Sequence, residues 1–249
     1  MKNISKIVAL CCVLPSMNGT AGTMGAEEVQ YHWKPVIGVS VSPSWASGGE
    51  TQTFFLQPDI EKTYTANKET SSFATGELFL GLQKNLSTNF IGQFGLAINA
   101  TGNAGLSGDI WEDADPDFNN FTYNYKINHV GVALKGRIIG FAERFLQPYV
   151  SGSLGVGFNR AHDFFITPKI FEEVPAPNFR ANTKTTFSYT LGAGIQKSLS
   201  PHWQAGIGYE FADWGRNNLA RAPCQSLNEG LQLSHLYVQQ LQFTIMYVT

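Results

Sequence analysis

Four charged residues stand in segments that otherwise alternate apolar residues with small polar ones. They are Glu77, Lys135, Arg137 and Glu210. Charges removed from water must pair with opposite charges, so we expect Glu–Lys and Glu–Arg ion pairs among them. The polar residues expected nearby are Gln93, His129, Gln196 and Gln204. The favoured interpretation is interior packing, and a gated narrow pathway for solutes is the alternative.

An acidic segment, 109–119 (DIWEDADPDFN), carries Asp113, Asp115 and Asp117 at alternate positions. Alternate carboxylates are a calcium-binding pattern, but an EF-hand loop needs Gly at its sixth position and Glu at its twelfth. Phe118 and Asn124 occupy those positions. The segment therefore indicates a solvated acidic loop and no metal site, with loose bridging by divalent ions as the alternative.

Histidines are the remaining candidates for catalysis, because a hydrolase needs a nucleophile, a histidine and an orienting acid within hydrogen-bond reach. The five are His32, His129, His162, His202 and His235. No G-x-S-x-G nucleophile motif follows the first segment. The sequence therefore predicts no enzyme, no catalytic residue and no cofactor. A net charge of −2 gives no reason to expect a nucleic-acid partner.

The first residues resemble a secretory signal. Lys2 and Lys6 precede the short apolar run 7–14, and small residues follow at 19–22. We expect a signal peptide over 1–21, with cleavage as late as residue 26 as the alternative. Its removal leaves Cys224 as the single cysteine, so no internal disulfide is expected. Residues 22–33 are expected to form an N-terminal periplasmic segment.

The repeated signal in the rest of the chain is period-two alternation, which predicts β-strands. In the first such segment Ile37, Val39 and Val41 alternate with Gly38, Ser40 and Ser42. The eight predicted strands cover 36–45, 73–83, 90–99, 123–138, 149–158, 185–196, 202–211 and 235–248. Each has the length of a tilted membrane-spanning strand.

The connectors between these strands alternate in length. Long ones cover 46–72, 100–121, 159–184 and 212–232, and short ones cover 84–89, 139–147 and 197–201. Long outer loops alternating with short periplasmic turns are typical of an up-and-down membrane barrel. We therefore predict one all-β domain over 34–249, an antiparallel up-and-down eight-stranded transmembrane β-barrel, with both termini on the periplasmic side.

A soluble barrel of the lipocalin kind would also alternate, so the direction of each face must be decided. The polar face is rich in Gly, Ser and Thr, which suits a narrow lumen better than a water-facing wall. Aromatic residues cluster near strand ends, as expected for girdles at membrane interfaces. Trp203 and Trp214, which bracket the seventh strand, are predicted to belong to them. We therefore expect the apolar face to contact lipid.

Three segments resemble the opacity-protein and OmpA-type eight-stranded outer-membrane barrels. They are 147–159 (QPYVSGSLGVGFN), 129–138 (HVGVALKGRI) and the final LQFTIMYV. The resemblance covers about Val36 to Thr249. It implies a barrel in the outer membrane of a Gram-negative bacterium, with extracellular loops that serve membrane integrity, adhesion or immune interaction.

The favoured function is accordingly a structural, adhesion or host-interaction role through four long outer loops. The expected partners are outer-membrane lipid, lipopolysaccharide and host surface molecules. A narrow pore or small-ligand transport barrel is the first alternative. The second is an enzyme that modifies lipid A, for which His235 falls on the predicted lipid-facing wall near the outer rim, whereas His129 falls inside.

Overall fold

The computed structural model describes residues 32–141 and 145–249. The predicted signal peptide lies outside the described residues, as does the predicted periplasmic segment except for its last two residues. The strands are β1 Lys34–Ser47, β2 Gln52–Gln57, β3 Ile60–Ala66, β4 Ser71–Asn85, β5 Phe90–Thr101, β6 Ala104–Glu112, β7 Asn119–Gly140, β8 Gln147–Pro168, β9 Asn182–Ser198, β10 Trp203–Asp213, β11 Asn217–Asn218, β12 Gln232–Leu233 and β13 Tyr237–Val248. One short 3-10 helix, Pro116–Phe118, precedes β7.

Eight strands close into a ring in which every neighbouring pair is antiparallel. The order is β1, β4, β5, β7, β8, β9, β10 and β13, and β13 returns to β1. Val36 pairs with Val248 where the first and last strands meet. These eight correspond to the eight predicted strands, which confirms the predicted fold class. A closed ring leaves no unpaired sheet edge, as a bilayer requires.

The apolar face of this ring points outward, as predicted. Val41, Leu134 and Leu154 are exposed on the wall by 60%, 53% and 63%, whereas their neighbours Ser42, Lys135 and Ser153 are buried inside. On β7 the outward apolar residues run from Val130 to Ile138. At about 3.3 Å per residue and a tilt of about 40°, that stretch spans roughly 20 Å, near the height of a bilayer's apolar layer. The outer wall is therefore a lipid-facing surface.

The prediction that 46–72 and 100–121 are long loops is wrong, because strands fill most of both ranges. β2 and β3 form a hairpin, β3 pairs with β6, and β6 pairs with the first half of β7. β8 likewise continues to Pro168, well into the predicted connector 159–184. The barrel wall thus extends beyond the lipid-facing band as a sheet, which we call the outer extension (52–66, 104–127 and 160–168).

The polarity of the wall inverts where the outer extension begins, and β7 shows the change along one strand. Beyond His129 its inward side chains become apolar, namely Ile127, Tyr125, Tyr123 and Phe121. Its outward side chains become polar over the same stretch, namely Asn128, Lys126, Asn124 and Thr122. A wall surrounded by water buries its apolar side, whereas a wall surrounded by lipid exposes it. The inversion therefore places the membrane boundary next to the outer extension near residues 128–130.

The predicted connector 212–232 folds inward and closes the mouth of the outer extension. Leu219, Leu231, Leu233 and Leu236 are each at most 3% exposed, and they belong to one core with Tyr64, Tyr123 and Phe164. Backbone hydrogen bonds join this segment to both flanks, from Ser226 N to Leu56 O (3.1 Å) and between Arg180 and Ala220. We call residues 214–236 the plug segment.

The described part of the chain contains no helix that is long and apolar enough to span a membrane.

Candidate functional site

The four predicted charged residues all lie inside the lipid-facing part of the barrel. The Lys135 ammonium, from β7, donates to both oxygens of Glu77 on β4, at 2.7 and 2.8 Å. It also donates to Glu210 Oε2 on β10, at 2.8 Å. Gln242 adds a longer hydrogen bond to Glu77 Oε1, at 3.4 Å. All these side chains are buried, so one ammonium ties together three separate strands across the lumen.

Arg137 does not make the predicted contact with a carboxylate in the part of the chain that is described. Its guanidinium lies 4.2 Å from the centre of the Tyr149 ring, and its Nη1 approaches Met246 Sδ at 3.5 Å. A planar guanidinium stacks well on an aromatic face. Its positive charge still balances the second of the two carboxylates, so the four charges sum to zero.

Tyr149 has room for this contact because glycines face it from the neighbouring strands. A Cβ at Gly208 would lie 2.2 Å from the Tyr149 hydroxyl oxygen, and one at Gly194 would lie 2.7 Å from its ring. The contact between Arg137 and Tyr149 was not predicted from the sequence. The glycines at inward positions of β9 and β10 indicate space for a large side chain, because a narrow lumen pairs large side chains with small ones.

Glutamine side chains form a layer between the charges and the short-turn end. Gln93 Nε2 donates to Gln83 Oε1 at 2.8 Å, and Gln196 Nε2 reaches Gln147 Oε1 and Gln204 Oε1 at 3.3 Å each. The cavity left beside the charged residues measures about 10 Å³, which is about the space of one water molecule. The lumen is therefore filled by side chains at this level.

His129 marks the next level, directly below the plug segment. Its Nδ1 lies 2.6 Å from Asn159 Oδ1, while Asn159 Nδ2 donates to the backbone oxygens of Trp214 and Arg216. The amide orientation of Asn159 is thus fixed, and the imidazole Nδ1 carries the hydrogen. A Cβ at Gly157 would lie 2.3 Å from His129 Cε1, so this ring needs glycine on β8.

Trp214 is not part of an aromatic girdle, and that prediction is wrong. The indole is 1% exposed and stacks on His129, with ring centres 4.6 Å apart and an angle of 8° between planes. β10 ends at Asp213, and the alternation of inward and outward side chains ends with it. Trp214 follows the strand, where the chain turns inward. Trp203 is 48% exposed at the other end of β10, as a girdle residue would be.

The core of the outer extension is aromatic and tightly packed. Tyr64 meets Tyr123 edge to face at 5.8 Å, and Phe164 lies 4.8 Å from Phe179. Burial raises the pKa of Tyr64, Tyr123 and Tyr125 above the ordinary value of a phenol. These hydroxyls therefore stay protonated at physiological pH.

The acidic segment 109–119 consists of the end of β6, a turn and the short 3-10 helix. Asp115 Oδ1 accepts from Asp117 N at 3.0 Å, and Asp109 pairs with Lys169 at 3.0 Å. In the described residues no cluster of three or more His, Cys, Asp or Glu side chains could hold a metal ion. Cys224 lies exposed in the plug segment as a reduced thiol.

His235 is half exposed at the rim, and its Nδ1 contacts Asp213 Oδ2 at 2.8 Å. Asp213 Oδ1 accepts from Gly215 N at 2.8 Å, and the imidazole stacks on Tyr237. Within the described ranges no hydroxyl group hydrogen-bonds to the His235 ring, so the contact that would activate a nucleophile is not formed there.

Exposed apolar side chains gather on the connector between β8 and β9. Phe171 is 98% exposed, Val174 is 85% exposed and Ile170 is 46% exposed. Glu172 and Glu173 lie between them. Neighbouring large apolar side chains exposed to water can form a binding surface. We call residues 170–174 the apolar tip.

No known family model matches the chain, and no curated protein matches it. Solved structures similar to it include outer membrane protein OprG from Pseudomonas aeruginosa, with 11% identity, 87% of this chain and 98% of that chain covered, and a TM-score of 0.49. Neisserial surface protein A has 7% identity and a TM-score of 0.44, with 86% of this chain and 96% of that chain covered. Ail, the attachment invasion locus protein of Yersinia pestis, has 11% identity and a TM-score of 0.35, with 87% of this chain and 98% of that chain covered.

By name, OprG is an outer membrane protein and the Neisserial protein is a surface protein, whereas Ail is named for attachment and invasion. At such identities and scores the likeness assigns no function. The assignment of this chain as an outer-membrane type of β-barrel rests on its closed ring of eight strands and its exposed apolar wall.

Proposed function

We propose that the protein is a closed surface barrel of the outer membrane that binds partners outside the cell through its outer extension and apolar tip. The observation that carries the proposal is that the lumen is closed at two levels. The Lys135 layer fills the membrane-spanning part, and the plug segment fills the mouth. A barrel closed in this way favours binding over transport, and the proposal includes no catalytic step.

The partner class follows from the apolar tip. Phe171 and Val174 offer an apolar contact flanked by the carboxylates of Glu172 and Glu173. This combination fits a host surface protein with an apolar pocket and a basic rim better than it fits the phosphates of lipopolysaccharide, which are themselves anionic. Loops on a rigid scaffold are common binding sites.

Adhesion is tested with cells that display the barrel and are applied to cultured host epithelial cells. We expect the double variant Phe171→Ser, Val174→Ser to lose most adherence, because exposed aromatic anchors supply much of the energy of an interface. The matched control is Leu227→Ser, an exposed apolar residue in the plug segment. Equal adherence of the double variant and the unmodified barrel would refute the role of the apolar tip.

The orientation is tested through Cys224, which lies exposed in the plug segment. A membrane-impermeant maleimide should label Cys224 on intact cells. In a Cys224→Ser background, Thr88→Cys in the short turn before β5 should be labelled only after the outer membrane is permeabilised. The reverse pattern would place the outer extension in the periplasm.

A further inference from the structure

The lipid-facing wall has a depression that the barrel's own side chains leave open. Gly136 on β7 and Gly152 on β8 are register partners and point outward, between buried neighbours that point inward. A Cβ at Gly136 would meet no other atom closer than 4.0 Å, and one at Gly152 would lie 3.5 Å from the nearest. Unlike Gly157 and Gly208, these glycines are not required by packing inside the barrel. Their effect is to remove two side chains from the outer surface.

Two adjoining cavities of about 490 and 590 Å³ lie over these glycines. They share Phe94, Gly136, Gly152 and Leu191, and the larger continues past Gly92 to Leu86 and Trp33 near the short-turn end. Leu134 and Leu154 flank one side, and Ile138 and Val150 flank the other. We call this depression, floored by Gly92, Gly136 and Gly152, the glycine groove. Cavities of roughly 300–1,000 Å³ are of the size that holds small organic ligands.

A cation stands at the short-turn end of the glycine groove. Lys84 on β4 is the register partner of Gly92, and its ammonium lies 5.4 Å from the centre of the Trp33 ring. Trp and Lys side chains are commonly found where a membrane protein meets lipid headgroups. An apolar groove that ends at an ammonium is complementary to a molecule with an apolar chain and an anionic head.

We propose that the glycine groove binds one acyl chain of a glycerophospholipid whose phosphate lies beside Lys84. The groove opens within the lipid-facing band, and an empty depression there would forfeit dispersion contacts that a hydrocarbon chain supplies. The choice of phospholipid over lipopolysaccharide rests on the proposed orientation, which places the short-turn end in the inner leaflet. The bound lipid would cover the glycines of β7 and β8 between Phe94 on β5 and Leu191 on β9.

The test is native mass spectrometry of the delipidated barrel in detergent, titrated with palmitoyl-oleoyl phosphatidylglycerol, whose head is anionic. We expect one lipid to remain bound to the unmodified barrel at collision energies that strip the others. The double variant Gly136→Leu, Gly152→Leu fills the groove and should weaken retention by about tenfold or more, since contacts with at least about two methylene groups are lost. Lys84→Gln should weaken it to a smaller extent.

The matched control is Gly76→Leu. Gly76 also points outward on the lipid-facing wall, and a Cβ there meets nothing within 4 Å, but it lies outside the groove. This variant should retain lipid as the unmodified barrel does. Folding of each variant is monitored by its heat-modifiable migration on a gel. If the double variant fails to fold, Gly136→Val alone replaces it, because the space at residue 136 is open.

Three results would overturn the proposal. Retention that is equal in the groove-filled variant and the Gly76→Leu control would show that the lipid binds elsewhere on the wall. A dimer that is present in the unmodified barrel and lost in the groove-filled variant would show that a second copy occupies the groove. Absence of any retained lipid would show that the groove has no tight occupant. None of these results depends on the apolar tip, so the adhesion test fails or succeeds independently.

Discussion

At the scale of single residues, the Lys135 ammonium makes three hydrogen bonds of 2.7–2.8 Å inside the barrel. Its ammonium is shared by two carboxylates from strands on different sides of the lumen. Removing one member of a buried charge network is costly because the remaining charges lose their partner in a low-dielectric site. Arg137 cannot substitute for it, since Tyr149 and Met246 already fix the guanidinium.

We expect Lys135→Met to destabilise the barrel by about 3–5 kcal/mol, because Glu77 and Glu210 would then lie buried without the ammonium. The measurement is the urea midpoint of refolded barrel in lipid vesicles, followed by heat-modifiable migration. The double variant Glu77→Gln, Lys135→Met should recover most of the loss, because the charge of Arg137 then still balances that of Glu210. If Lys135→Met alone is as stable as the unmodified barrel, the ion pairs contribute nothing to the closed lumen.

At the scale of elements, a β-bulge in β8 decides which aromatic residues enter the core of the outer extension. The register with β7 shifts between the pairs Asn124–Phe165 and Lys126–His162. Asp163 is the extra residue, with φ of +55°, and its hydrogen bond with His162 lowers the pKa of its carboxyl. After the bulge Phe164 and Ile166 point inward and Phe165 points outward. Regular alternation from Ala161 would have given the opposite faces.

Deletion of Asp163 should therefore be tolerated. Phe164 would then follow His162 directly and keep its inward direction, because a bulge is one residue in excess of regular pairing. The matched control is deletion of Val156, within the regular part of β8, which turns Asn159 outward and removes its contact with His129. We expect the first variant to show heat-modifiable migration and the second to lose it. The opposite ranking would mean that the bulge is required.

At the scale of the whole molecule, two closures of different chemistry lie in series along the barrel axis. The lower closure is ionic and belongs to the ring strands, whereas the upper closure is apolar and belongs to the plug segment. The Trp214–His129 stack and the Asn159 hydrogen bonds join the two levels. Opening one closure leaves the other in place, which is why the arrangement favours a surface barrel over a pore.

Planar-bilayer recordings should accordingly show no steady openings from the unmodified barrel, nor from Glu77→Ala. In that variant Lys135 keeps Glu210 as its partner and the plug segment is untouched. A combined variant that also replaces residues 217–233 by a short Gly-Ser linker should conduct more often, since the mouth is then open. Frequent openings of the unmodified barrel would favour the narrow-pore alternative.

The sequence predicted the eight ring strands and the direction of their faces because both depend on local alternation. Ile37, Val39 and Val41 point to lipid for the same reason that Ser40 and Ser42 point inward. The outer extension is also encoded, in the inverted alternation of Phe121, Tyr123, Tyr125 and Ile127 with their polar neighbours. The prediction placed 123–127 in a strand, but it followed apolar residues on the lipid side only. For that reason it treated 46–72, 100–121 and 159–184 as loops.

The contacts across the lumen could not be obtained from the sequence. Parity shows that Lys135, Arg137, Glu77 and Glu210 share the interior, but the stagger of the closed ring decides which of them form the short ion pairs. The inward turn at Trp214 and the bulge at Asp163 break the alternation on which the prediction relied. Alternation is a property of one strand, whereas pairing across a barrel depends on the register of all eight, and only the tertiary structure fixes that register.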